Sequence, residues 1–82
     1  MHVTVVSPER AVFDGASDAV VAPAFDGQVG ILPHHAPFLT LLGTGVLRVQ
    51  QGGTSTRFTV AGGFLQVVGD AVRVVADRVE AA

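Results

Sequence analysis

His34 and His35 stand side by side in the stretch GILPHHAPFLTLL, residues 30–42, with Pro33 and Pro37 on either side. Adjacent histidines raise two chemistries, metal ligation and proton transfer. A zinc-type site needs three or four ligands converging on one point. Neighbouring residues in an extended segment point to opposite sides. The third histidine, His2, is far away in sequence, and no HxH or HExxH spacing occurs. The spacing therefore favours loop histidines bonded to nearby backbone. A small metal-dependent β-barrel enzyme using His2, His34 and His35 is kept as an alternative that metal analysis would decide.

The remaining reactive types have bland readings. Ser7, Ser17 and Ser55 lie in no GxSxG elbow, and a serine, a histidine and an aspartate without defined spacing carry no weight as a triad. Asp14, Asp18 and Asp26 all fall at expected turns, where an aspartate side chain bonds its own backbone. Gly27-Gln28-Val29-Gly30 is read as a tight bend with an exposed tip. It is not a phosphate loop, since the chain has no lysine and no GxxxxGK[ST] pattern. With no cysteine, disulfides, thiolate zinc sites and thiol nucleophiles drop out. No catalytic residue, cofactor or metal is expected.

The elements that position these residues read as strands. The chain has 82 residues, enough for one small domain. Charged residues make up 15%, against about 25% in a typical soluble domain, and the mean hydropathy is +0.52. Such a chain either sits in a membrane or leaves apolar surface for a partner. The uncharged interval between Asp26 and Arg48 holds Pro33, Pro37 and the glycines at 27, 30, 43 and 45. A spanning helix needs about 20 mostly apolar residues, so that interval does not read as one. The opening Met1-His2-Val3-Thr4 lacks a basic n-region, and no leader is expected. A net charge of −2 with the five arginines spread singly argues against nucleic acid.

Valine-rich alternation with period two predicts strands over 2–7, 11–14, 18–22, 28–32, 38–42, 46–50, 55–61, 63–68 and 71–76. The expected inward residues are Val3, Val5, Val20, Ala22, Val29, Ile31, Leu47, Val49, Phe58, Val60, Leu65, Val67, Val72, Val74 and Ala76. Asp14-Gly15, Asp26-Gly27, Gln51-Gly52-Gly53 and Gly69-Asp70 are turn signals. Gly62-Gly63 is either a break between two strands or a bend within one. Residues 79–82 could begin a helix. This spacing is that of an all-β sandwich or barrel. Val21, Val46, Phe64, Val68 and Val75 fall on outward faces. Five such residues in so small a domain make either a docking patch or a surface that a further layer buries.

Several blocks resemble one family in order along the chain: Val5-Val6-Ser7-Pro8-Glu9 with Phe13-Asp14-Gly15, then GQVGILPHHAP over 27–37 with Thr40, then Gly45-Val46-Leu47-Arg48, AGGFLQV over 61–67 and VRVVAD over 72–77. The chain is similar to the N-terminal domain of the epsilon subunit of F-type ATP synthase. The resemblance implies a small two-sheet β-sandwich of about nine or ten short, mostly antiparallel strands over residues 1–78, with a short tail at 79–82. It implies a non-catalytic rotor part that packs on the gamma subunit and rests on the polar loops of the membrane c-ring. That part would belong to an F1 sector with alpha and beta subunits, peripheral to the cytoplasmic face of the bacterial plasma membrane. Residue by residue, Gln28 is the candidate ring contact, and His35 and Ser7 are candidates for the gamma-facing side. His34 matches a variable position and inherits nothing. Gln28 stands where some members carry an acid, so no charged contact is implied there. Family members commonly continue into a helical hairpin that restrains ATP hydrolysis. Here the chain is read as a natural short form, with neither that restraint nor a nucleotide site. A free-standing binding module, with the apolar patch as its groove, is the other reading.

Overall fold

A computed structural model describes residues 1–82 and contains eight strands and no helix. They are β1 (His2–Val6), β2 (Ala11–Ala16), β3 (Ala19–Ala24), β4 (Gly27–Ile31), β5 (Phe38–Leu41), β6 (Gly45–Gln51), β7 (Thr54–Val68) and β8 (Ala71–Ala81). All strands belong to one hydrogen-bonded sheet ordered β2-β1-β8-β7-β6-β3-β4, with β5 pairing β7. Every pair is antiparallel except β1 with β8.

The sheet becomes two layers because the β7–β8 hairpin belongs to both. The first half of β7 pairs β6, from Thr54 opposite Gln51 to Val60 opposite Gly45. Its second half pairs β5, from Phe64 opposite Leu41 to Val67 opposite Phe38. The change of partner falls at Gly62 and Gly63, whose φ angles are +70° and +103°. A Cβ on Gly63 would come 2.0 Å from the Val75 carbonyl oxygen, so only glycine fits there. The kink also reverses which side of the strand is buried. Phe58 and Val60 are buried before it, Leu65 and Val67 after it. An even-numbered inward set becomes an odd-numbered one. Strand β8 reverses at the same level: Val72, Val74 and Ala76 are buried, whereas beyond Asp77 it is Val79 that packs on the core.

One layer therefore holds β5, the Phe64–Val68 half of β7, the start of β8, β1 and β2. The other holds the Thr54–Val60 half of β7, β6, β3 and β4. Fifteen buried hydrophobic residues from both form a single core cluster, and fully burying a Val, Leu or Ile side chain contributes about 1.5–3 kcal/mol. Phe13 of β2 meets Phe58 edge-on across that core, with ring centroids 6.2 Å apart. One end is laced shut where β5 reaches β3. Gly43 N–H donates to Pro23 O at 2.8 Å, Phe25 N–H to Leu41 O at 3.2 Å and Leu42 N–H to Gly63 O at 3.0 Å.

The inward set read from periodicity is the observed core except at two residues: Val29 is only partly buried against it, and the buried Leu42 was not in the set. Three local expectations are corrected, and the choice left open at Gly62-Gly63 is decided in favour of a bend within one strand. The windows 55–61 and 63–68 are one strand, because glycine at a positive φ bends the ladder without breaking it. Val79–Ala81 continue β8, Ala81 pairing Phe58, so no helix begins there. Asp14-Gly15 is not a turn: both residues lie inside β2, opposite Thr4 and Val3. Gly27–Gly30 is not a bend, since it lies within β4. The β3–β4 turn is Phe25-Asp26, closed by the Ala24–Gly27 pair.

Candidate functional site

The two layers leave two outward faces, and cross-strand register sets what lies on each. On the first layer, Leu41, Phe64, Val75 and Val6 stand in one row across β5, β7, β8 and β1. The next row is Leu39, Gln66, Arg73, Thr4 and Asp14. Val68 and Ala71 lie on the third. Leu39 is 67% exposed, Leu41 62% and Val68 55%. Phe25, in the β3–β4 turn, borders the same region. With Leu39, Thr40, Leu41, Phe64 and Gln66 it lines a shallow cleft of about 630 Å³. An apolar row this long, on a chain with so few charges, is a surface suited to a partner rather than to water.

The second layer's outward face carries Gly30, Val21, Arg48 and Arg57 in one row, with Val46, Thr59 and Glu80 in another. Gln28 is exposed on β4, an edge strand, opposite Pro23.

The five outward apolar residues are thus not one patch. Phe64, Val68 and Val75 share the first face, and Val21 and Val46 lie on the opposite one. Period-two reading cannot see this split. It places residues on alternate sides of a strand without saying which layer the strand joins, and the reversal at Gly62-Gly63 inverts the sides midway. Val21 and Val75 are half-buried, so neither is as free as the sequence suggested. Phe25, Leu39 and Leu41 were not foreseen. The run Phe38-Leu39-Thr40-Leu41-Leu42 is nearly all apolar, and here Thr40 faces inward opposite Leu65 while the leucines at 39 and 41 face out.

The polar candidates are held by backbone. Leu32-Pro33-His34-His35 is a turn in which His35 N–H donates to Leu32 O at 3.2 Å. Pro33 supplies its fixed φ at the second position, and His34 takes the third with φ +68°. That left-handed region costs an L-residue about 1–2 kcal/mol, although histidine enters it more readily than most. The His35 Nδ1–H donates to Ala36 O at 2.8 Å, and the ring sits edge-on to Phe38 at 5.7 Å. His34 is exposed. Ser7 closes the β1–β2 connection, its N–H donating to Arg10 O at 2.8 Å and its hydroxyl to the same oxygen at 3.2 Å. Ser7 follows Val6, level with Leu41, whereas His35 packs on Phe38, level with Val3. The structure therefore puts Ser7 and His35 at opposite ends of the first layer.

Other polar groups serve the scaffold. Ser17, 2% exposed, lies at the β2–β3 corner. Its hydroxyl is 2.8 Å from the carbonyl oxygens of Ala19 and Gln50 and accepts from Ala19 N–H at 3.2 Å. Asp18 accepts from Gly52 N–H at 2.7 Å. His2 pairs with Asp14 on the first outward face. No three His, Cys, Asp or Glu side chains converge, so His2, His34 and His35 are not brought together.

Fold and surface together define a class, a small β-sandwich domain whose most distinctive features are its two unpartnered outward faces. The family model described as the ATP synthase delta/epsilon chain beta-sandwich domain matches residues 1–82, and the chain belongs to that family. An ATP synthase epsilon chain of Desulforamulus reducens is 50% identical over 78 residues, covering 95% of this chain and 59% of the relative. One from Symbiobacterium thermophilum is 46% identical over 83 residues, covering all of this chain and 60% of the relative. The chain thus spans about six-tenths of the length of these curated relatives. Among solved structures, a chain of the Euglena gracilis mitochondrial ATP synthase OSCP/F1/c-ring assembly superposes with a TM-score of 0.89 at 21% identity, over 96% of this chain and 51% of that one. A chain of the Tetrahymena thermophila mitochondrial ATP synthase central stalk/c-ring superposes at 0.80 and 21% identity, over 99% and 66%. At that identity the likeness establishes the fold.

Proposed function

We propose that this domain is part of a central-stalk subunit of an F-type ATP synthase, joining the gamma subunit to the c-ring so that ion-driven rotation supports ATP synthesis. The observation that carries this reading is the row Leu41–Phe64–Val75–Val6 with Leu39, Val68 and Phe25 beside it. It gives gamma a broad apolar face on a rigid sheet. The role is mechanical and non-catalytic, with the alpha–beta hexamer doing the chemistry. His35 and Ser7, at the two ends of the same layer, are the proposed gamma-facing polar contacts. Gln28, on edge strand β4 beside the Phe25-Asp26 turn, is the proposed contact to the polar ring loops. The domain would act as a peripheral part of the F1 sector on the cytoplasmic face of a bacterial plasma membrane. Residues 1–82 include no helical hairpin, and hairpin-based restraint of hydrolysis is not proposed for them.

Ordering before contact favours such a role. Pro33 and Pro37 and the Leu32–His35 turn fix the loop before a partner arrives, which lowers the entropy cost of docking. The test is to mix the purified chain with the gamma subunit at micromolar concentration. The expected result is a one-to-one complex on size exclusion, weakened by Val68→Asp. Absence of a complex removes the proposal's main support.

A further inference from the structure

Arg48 and Arg57 face each other directly across the β6–β7 ladder on the second outward face. Side chains so paired have Cβ atoms about 4.5–5.5 Å apart, and like charges there repel. Neither guanidinium makes a hydrogen bond or an ion pair within the chain. The ion pairs present join the Met1 amine to Asp70 and His2 to Asp14. By register, the nearest acidic side chain on this face is Glu80, one row away opposite Thr59, while Ala82 lies beside Arg57, its N–H donating to Arg57 O. Glu80 pairs with neither arginine. Val21, half-buried, lies opposite Arg48 on β3, and Val46, 42% exposed, is two residues before Arg48 on the same side. Water alone would be met better by opposite charges across the ladder. Two adjacent uncompensated cations bordered by valines are suited to an anionic group arriving with apolar neighbours.

We propose that Arg48 and Arg57 form a two-guanidinium fork for carboxylates on an acidic segment of a protein partner. Guanidinium binds carboxylate through two parallel N–H···O bonds, and a pair of forks matches two acids spaced along one segment. A peptide chain can alternate such acids with apolar side chains that lie against Val21 and Val46. A phosphate-rich surface fits less well, since it presents no apolar side chains between its anionic groups to lie against Val21 and Val46. This face points away from the Leu41–Phe64–Val75 row, so the proposal stands whether or not gamma docks there.

The test is an NMR titration of the 82-residue chain with hexaglutamate at low ionic strength, following backbone amides and arginine Nε–H signals. Hexalysine, inorganic phosphate and phosphatidylglycerol vesicles serve as comparison probes. Hexaglutamate is expected to shift Arg48, Arg57 and Val21, and Arg48→Gln/Arg57→Gln to weaken its binding by about tenfold or more, as loss of two charge-assisted pairs implies. The double variant should melt no lower than the parent, because it relieves a like-charge pair. No shift at these residues, shifts that persist in the double variant, or an equal response to phosphate or vesicles would each overturn the proposal.

Discussion

Gly63→Ala adds a single methyl group and should remove a large part of this domain's stability. The new Cβ would meet the Val75 carbonyl oxygen at 2.0 Å and the Ala76 Cα at 2.8 Å. Both are backbone atoms of β8, so neither can rotate aside. Contact distances for carbon are about 3.5–4.0 Å, so β7 and β8 must part by about 1 Å or more at this level. Two costs add. The backbone there sits at φ +103°, and left-handed conformations cost an L-residue about 1–2 kcal/mol. Parting the strands weakens two or three ladder hydrogen bonds, each worth about 1 kcal/mol. The sum is roughly 3–5 kcal/mol, within a total that for most domains is about 5–15 kcal/mol. In a domain of this size 1 kcal/mol moves Tm by about 4–8 °C, so the midpoint should fall by at least about 12 °C. Gly52→Ala is the control. Its φ is +59° and nothing lies within 4 Å of its would-be Cβ, so only the conformational cost of about 1–2 kcal/mol applies. Urea and thermal unfolding followed by circular dichroism measure both. If the two variants lose the same stability to within about 1 kcal/mol, the close approach of β7 to β8 is not the rigid joint described here. Gamma binding should fall with Gly63→Ala even below the melting point, because the same joint aims Phe64 outward.

Further outcomes test the surface and the turn. Val68→Asp should change stability by less than about 0.5 kcal/mol, as for an exposed site, and still weaken the gamma complex on size exclusion. Val75→Asp should cost stability as well, about 1 kcal/mol by the general trend for half-buried sites, because its side chain is partly covered. His34→Gly should raise Tm by a few degrees, the left-handed penalty outweighing the added chain entropy, and His34→Val should lower it. His35→Ala loses the bond to Ala36 and the contact with Phe38, about 1–2 kcal/mol together, and should loosen the gamma complex more than His34→Ala does.

The core was legible because burial in a strand follows a simple rule. Side chains alternate sides, so Leu47 and Val49 around Arg48, or Val72 and Val74 around Arg73, declare their inward face without any structure. The family was legible too, through blocks such as GILPHHAP and AGGFLQV. Outward residues were harder. Alternation says that Val46 and Phe64 both face out from β6 and β7. It cannot say that one layer turns away from the other between them.

What the sequence determined alone is therefore local: strand type, inward sets, turn chemistry at Asp26, Gly52-Gly53 and Gly69-Asp70, and the absence of a reactive spacing around His34 and His35. Only the tertiary structure decided that Gly62-Gly63 is a bend within a strand, that it inverts the buried side of β7, and that Leu39, Leu41, Phe64 and Val75 consequently meet on one face while Val21, Val46, Arg48 and Arg57 meet on the other. The physical reason is that pairing partners are chosen across the sheet, between residues far apart in the chain. The side a residue shows is then set by the close approach of one backbone to another, here the glycine of β7 against the carbonyl of Val75.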